Sequence, residues 1–239
     1  MEKLTKAKIL EILTVCDFSG ELTENNYYDK IVIPLRKEKK YIFNNFSGVS
    51  KCVLSFSDLD FVVKIPFTGS DCPHYSYRYD EDYSYTRRTF VGDIYEDFYG
   101  ASDNITHSGW DYCLLETTRF LEAKRKGCGD ILAKTELLGE VKGYPIYIQP
   151  KAEIYAFCSK EKKVSKREKN ICETLQALTN THIPYFKWII DCYYYYGYEK
   201  TRKMFRALNH SYFDRDMHSG NLGYIGNQPV IIDYSDFNG

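Results

Sequence analysis

Residues 213–235 read Phe213-Asp214-Arg215-Asp216-Met217-His218-Ser219-Gly220-Asn221-Leu222-Gly223-Tyr224, then Ile225-Gly226-Asn227-Gln228-Pro229-Val230-Ile231-Ile232-Asp233-Tyr234-Ser235. Val230-Ile231-Ile232 is a β-branched run, and Gly226-Asn227-Gln228 before it supplies turn residues. Leu222–Ile225 and residues 230–232 are therefore expected to pair as the two strands of a short hairpin. Asn221 then stands at its entrance and Asp233 at its exit, on the same edge.

An amide oxygen beside a carboxylate suits Mg²⁺, a hard cation that takes a few oxygen ligands and leaves its other positions to water and phosphate. Asp216 remains to hold the proton of an attacking hydroxyl. The pattern Asp-x-His-x-x-Asn over residues 216–221, followed by a β-branched strand and Asp233, resembles the catalytic and metal-binding segments of the protein-kinase-like superfamily. It looks most like the short kinase-like proteins of bacteria and their phages. That resemblance implies Asp216 as the catalytic Asp and Asn221 and Asp233 as metal ligands, with Asp233-Tyr234-Ser235 standing where protein kinases have Asp-Phe-Gly.

The composition is compatible with this reading. At 239 residues, 44% of them hydrophobic and 16% aromatic, with 23 Tyr, the chain can bury a sizeable core in one large or two small domains. A net charge of −1 advertises neither nucleic acid nor an anionic membrane as partner. Cysteines at 16, 52, 72, 113, 128, 158, 172 and 192 form no Cys-x-x-Cys pair, and no His sits at metal-finger spacing. With no signal-peptide pattern at the N-terminus and no membrane-spanning run, a cytoplasmic protein with reduced thiols is expected. The tyrosines of residues 193–198 read as packing residues at helical spacing.

Upstream, Leu4, Ile9, Leu10, Ile12 and Leu13 mark one face of a short helix that a turn at Gly20 ends. Residues 25–28 read as linker, and Ile31-Val32-Ile33 as a strand held to an edge by Pro34. Residues 41–43 and 52–56 are strand-like, joined by 44–51, and Phe61-Val62-Val63-Lys64-Ile65-Pro66 forms a third strand. Gly48, with Ser50 and the other small serines, allows this connection to approach phosphate through backbone N–H groups. Lys64 lies in an apolar run, where it either snorkels or meets a buried anion. The resemblance makes it the Lys that holds the α- and β-phosphates.

Residues 68–109, rich in Tyr, Asp and Arg, read as an insertion. Residues 110–126 carry a helical pattern that Gly127 ends, with Glu116 beside its apolar face. By family position Glu116 is the partner of Lys64, and Glu122, later on the same helix and at a different angular position, is the competing candidate. Residues 131–138 and 144–149 make a second hairpin that completes a five-stranded sheet, and Gln149 and Lys151 fall where the superfamily has the hinge that holds an adenine edge. Residues 160–169 are a charge run read as a solvated connection, and helical patterns follow, marked by Ile171, Leu175 and Leu178, by Phe186 to Tyr194, and by Met204, Phe205 and Leu208.

The expected fold is α+β and two-lobed, protein-kinase-like, with a five-stranded antiparallel N-lobe sheet in residues 1–149 and a reduced helical C-lobe in 150–239. Two departures bear on the chemistry. Asp214 stands where kinases usually have His, with His218 two residues after Asp216 as in small-molecule kinases. The sequence also runs only six residues beyond Asp233, without a peptide-binding platform. The expected activity is ATP- and Mg²⁺-dependent transfer to a hydroxyl acceptor, protein Ser/Thr first. The alternatives are a small-molecule kinase and a non-catalytic nucleotide-binding module.

Overall fold

The computed structural model describes residues 4–48, 50–67, 111–158, 163–209 and 217–234. The sequence readings on Asp214, Asp216, Cys72 and the insertion at 68–109 lie outside the described residues. The chain forms an α+β structure in two compact units. One takes in the chain to Leu114 together with Glu136–Ile148, and the other Leu115–Thr135 together with the chain from Gln149 onward.

The first unit is built on a five-stranded sheet in the order β1-β2-β3-β5-β4. Its strands are β1 Phe43–Ser47, β2 Lys51–Phe56, β3 Phe61–Pro66, β4 Glu136–Val141 and β5 Tyr144–Pro150. Alternation decides its core: Cys52, Leu54 and Phe56 of β2, Val63 and Ile65 of β3, and Ile146 and Ile148 of β5 share one face. Helix α1, Lys6–Leu13, capped by the Thr5 side chain, lays Ile9, Ile12 and Leu13 into the same cluster. Burying each such side chain is worth about 1.5–3 kcal/mol.

Several expected boundaries move. Helix α1 ends at Leu13, with Thr14 as its cap, rather than at Gly20. Asn44 to Ser47 are strand, paired with β2, so the first connection is far shorter than residues 44–51. Residues 131–135 are not strand. Gly129–Ile131 is a 3-10 turn, and the Ala133 N–H bonds to the Ile231 carbonyl at 2.9 Å, drawing this segment into the second unit.

The β-branched run Ile31-Val32-Ile33 is helical, not strand. A π-helical turn, Tyr28–Val32, runs into α2, Ile33–Lys37, and buries Ile31, Val32 and Leu35 on one side. Pro34 has no N–H to offer the Lys30 carbonyl, and that carbonyl accepts instead from the Asp17 N–H at 2.9 Å. Burial at helical spacing thus overrides strand propensity.

Helix α3, Tyr112–Arg125, starts where Asp111 Oδ1 accepts the Leu114 N–H at 2.9 Å. It ends in a Schellman motif: the Gly127 N–H bonds to Lys124 O and the Cys128 N–H to Ala123 O, with Gly127 at φ +71°.

In the second unit, α4 (Lys166–Thr179), α5 (Phe186–Tyr196) and α6 (Tyr198–Asn209) surround a core in which Trp188 and Phe205 stack at 6.3 Å. Helix α4 opens with a capping box, Ser165 and Glu168, so part of the expected solvated charge run is helix. Strands β6 Glu153–Ile154, β7 Leu222–Ile225 and β8 Gln228–Ile231 form a three-stranded sheet. The tyrosine run is only partly packing. Tyr196 donates to Pro229 O at 2.8 Å, whereas Tyr194 and Tyr195 are exposed.

Seven described cysteines are buried free thiols. Among the described residues no helix is long and apolar enough to cross a membrane.

Candidate active site

The expected terminal hairpin forms in β7 and β8, in register Leu222↔Ile231, Gly223↔Val230, Tyr224↔Pro229 and Ile225↔Gln228. Gln228 is in the strand, leaving Gly226-Asn227 as a two-residue turn. At the open end the Ile232 N–H bonds to the Asn221 carbonyl at 2.8 Å, which extends the pairing by one step. Asn221 and Asp233 therefore come together at one end of the hairpin, as the sequence pattern requires. Asn221 is buried and Asp233 half-buried.

The turn leading into Asn221 is fixed at nearly every backbone group. Ser219 donates its N–H to the Tyr185 hydroxyl at 2.9 Å and accepts from the Ala156 N–H at 3.1 Å. The Asn221 N–H bonds to the His218 carbonyl at 3.0 Å, and the Gly220 N–H bonds to His218 Nδ1 at 3.0 Å. With Nδ1 accepting, the neutral imidazole carries its proton on Nε2. A Cβ on Gly220 would meet the same ring at 2.8 Å, so His218 and Gly220 are matched to one another.

Glu116 lies on α3 and is fully buried. Its Oε2 accepts from the Thr135 hydroxyl at 2.6 Å, and that hydroxyl in turn accepts from Gln149 Nε2 at 2.9 Å. Gln149 Nε2 also donates to Ala133 O at 3.1 Å. Tyr234, the residue after Asp233, joins the same cluster. Its hydroxyl donates to Ala133 O at 2.6 Å and accepts from the Thr135 N–H at 3.3 Å. A buried network of the second unit thus ties the helix position of Glu116 to the segment that carries Asp233. The Gln149 side chain is engaged in this network, and Lys151 is exposed.

Lys64 lies in β3 of the first unit, 3% exposed, opposite Val53 of β2. Cys52 and Ile65 point into the core, so Val53 and Lys64 belong to the other face of the sheet. Lys51, also 3% exposed, is on that face two residues from Val53. The two lysines are diagonal neighbours, whose Cα atoms are roughly 7–8 Å apart in a sheet of ordinary geometry. The sequence reading passed over Lys51. The alternation of Lys51, Val53 and Ser55 against Cys52, Leu54 and Phe56 was the available signal.

Between β1 and β2 the Gly48 N–H bonds to the Lys51 carbonyl at 3.2 Å, and the carbonyl of the buried Ser50 accepts from the Phe67 N–H at 2.8 Å. The backbone at Gly48 and Ser50 is thus tied to the ends of the neighbouring strands. A Cβ on Gly48 would touch nothing within 4 Å, so packing does not demand glycine there.

Asn221 and Asp233 carry oxygen donors of the kind that Mg²⁺ takes. Among the described residues no group of three or more His, Cys, Asp or Glu could hold a metal ion. No protein-family model, curated protein or solved structure matches this chain.

Proposed function

We propose that the chain is a kinase-like phosphotransferase that binds ATP with Mg²⁺ and transfers the γ-phosphoryl group to a hydroxyl acceptor. The observation that carries this reading is the buried network joining Glu116, Thr135, Ala133 and Tyr234. It couples two segments that the motif reading had named separately. The order of parts agrees with the resemblance: a hairpin with a small-residue turn, a buried Lys on the third strand, a helix with a buried Glu, a second hairpin, helices, and a hairpin ending in Asn and Asp.

In this reading Asn221 and Asp233 supply the oxygen ligands of Mg²⁺. Lys64 is assigned to the α- and β-phosphates, and Glu116 is fixed by the Thr135 hydroxyl. Gly48 and Ser50 stand at the turn over the phosphates, and the backbone at Gln149 and Lys151 meets the adenine edge. Asp216 accepts the proton of the attacking hydroxyl. The work of these groups is positioning and charge stabilisation, since phosphoryl transfer asks little covalent chemistry of the protein.

The decisive experiment incubates the protein with Mg²⁺ and γ-labelled ATP in the presence of cell protein or a metabolite extract. Acceptor labelling that disappears in Asp216→Asn and Asp233→Asn supports the proposal, and a protein-bound or small-molecule product identifies the acceptor class. Equal labelling by Asp216→Asn would refute the assignment of the base. A second reading, a non-catalytic nucleotide-binding module, is favoured by the tied backbone at Gly48. It requires ATP-dependent thermal stabilisation with no turnover.

A further inference from the structure

Helix α6 is divided lengthwise. Thr201, Met204 and Phe205 are buried in the core, while Glu199, Lys200, Lys203 and Arg206 face solvent. On the outer side a cavity of about 530 Å³ is lined by Gly127, Glu199, Lys200, Arg202, Lys203 and Arg206. Four of these six residues are cationic in a chain of net charge −1. The exposed run Lys124, Arg125 and Lys126 at the end of α3 leads into Gly127 and adds to the same positive field.

Internal pairing accounts for only half of the lining cations. Arg202 bonds to Glu199 at 2.7 Å, and Lys200 pairs with Asp130. Among the described residues neither Lys203 nor Arg206 has an acidic partner. At the end of α3 the Glu122, Ala123 and Lys124 carbonyls are bonded to the N–H groups of Lys126, Cys128 and Gly127. Gly127 leaves room for the Lys203 ammonium: a Cβ there would lie 3.0 Å from its Nζ.

We propose that this cavity is a binding site for a compact oligoanion carrying two or more phosphoryl groups, held by Lys203 and Arg206 with Lys200 and Arg202 at the rim. From Lys200 to Arg206 the helix rises about 9 Å, a span that two or three linked phosphoryl groups cover. Arginine forks favour phosphate oxygens in particular. A cavity of this size suits a small ligand better than an extended polymer. The site is built wholly within the second unit and does not depend on the kinase reading.

The test is calorimetric titration of the full chain with inorganic tripolyphosphate, without Mg²⁺. Binding is expected to weaken as salt is added. It should fall by about tenfold or more in Lys203→Ala/Arg206→Ala, since each lost charge-assisted contact is worth more than a kilocalorie. These side chains are exposed, so thermal unfolding should be unchanged. Lys37→Ala/Lys40→Ala removes the same charge from another surface and should bind as the parent does. Lys64→Met, or Asp233→Asn should the former not fold, should keep the component of binding that Lys203→Ala/Arg206→Ala removes, which separates this site from the proposed nucleotide site. The inference is overturned by absence of binding, by an unaffected Lys203→Ala/Arg206→Ala variant, by an equal loss in the Lys37→Ala/Lys40→Ala control, or by loss of that same component in the nucleotide-site variants.

Discussion

The Thr135 hydroxyl donates a 2.6 Å hydrogen bond to Oε2 of the fully buried Glu116. Without that donor a buried carboxylate loses a charge-assisted bond, and the Gln149 amide loses an acceptor. Thr135→Val keeps the shape of the side chain and removes the hydroxyl. It is expected to lower the unfolding free energy by about 1–3 kcal/mol, measured by urea denaturation. If the network also orders the proposed site, nucleotide affinity should fall further than in Thr14→Ala, a control at the exposed end of α1. Parent-like stability in Thr135→Val would show that this bond contributes nothing net.

Tyr234→Phe tests the other end of the same network. Removing the hydroxyl strips Ala133 O of a donor and the Thr135 N–H of an acceptor, both in buried surroundings. A loss of about 1–3 kcal/mol is expected in the same measurement. Because the two variants share Thr135, their effects should be less than additive when combined, and a double-mutant cycle reads that coupling directly. Strict additivity would mean that the two bonds act independently.

The terminal hairpin was legible in the sequence because its signals are local: a β-branched run, turn residues, and Asn and Asp at the ends. The body of α4 was legible from Ile171, Leu175 and Leu178, whereas its capping box at Ser165 and Glu168 lay inside a charge run read as solvated. Residues 28–37 were not legible, because Ile31-Val32-Ile33 favours a strand until Asp17 is known to take the carbonyl that Pro34 cannot serve. The bond from Tyr234 to Ala133 joins residues 101 positions apart, and no periodicity announces it. Lys51 was hidden differently, since assigning residues 44–51 to a loop erased the alternation that shows its face.

Acid should loosen the start of α4. The Ser165 N–H and hydroxyl hold the Glu168 carboxyl below its ordinary range, the backbone bond contributing most. A carboxyl whose folded value is depressed contributes stability above its unfolded value of 4.5, and that contribution is lost as pH falls through the folded value. Ser165→Ala should cost about 1 kcal/mol at neutral pH. The difference between parent and variant should shrink as pH is lowered below that of an ordinary carboxylate. An undiminished difference in acid would assign the effect to something other than the capping box.

Alkali should act on the cores. Burial pushes the thiols of Cys16 and Cys172 up to about 12 and those of Cys52 and Cys192 higher still. Tyr224 is raised as well, by burial first and by the bond it donates to Asp191 second. Groups with raised folded values favour the folded state below their unfolded values, and that contribution drains away as pH rises from 9 toward 12. The denaturant midpoint should fall across this window. At neutral pH a thiol reagent should label Cys16, Cys52, Cys172 and Cys192 only in denaturant. Rapid labelling of the native protein at these four positions would contradict the burial.

Lys51 supplies the sharpest check on the proposed nucleotide site. It shares a face of the sheet with Lys64, and each is 3% exposed. The two lysines place positive charge on one face of the sheet as diagonal neighbours. If the phosphates of ATP meet that face, Lys51→Met should diminish the thermal stabilisation that Mg²⁺ and ATP confer, as Lys64→Met should, while Lys37→Ala at an exposed position should not. The melting shift on adding nucleotide is the quantity to compare, since it subtracts whatever each substitution does to the unliganded fold. A full shift in Lys51→Met with loss in Lys64→Met would confine the phosphate contact to Lys64. Full shifts in both would remove the sheet face from the site altogether.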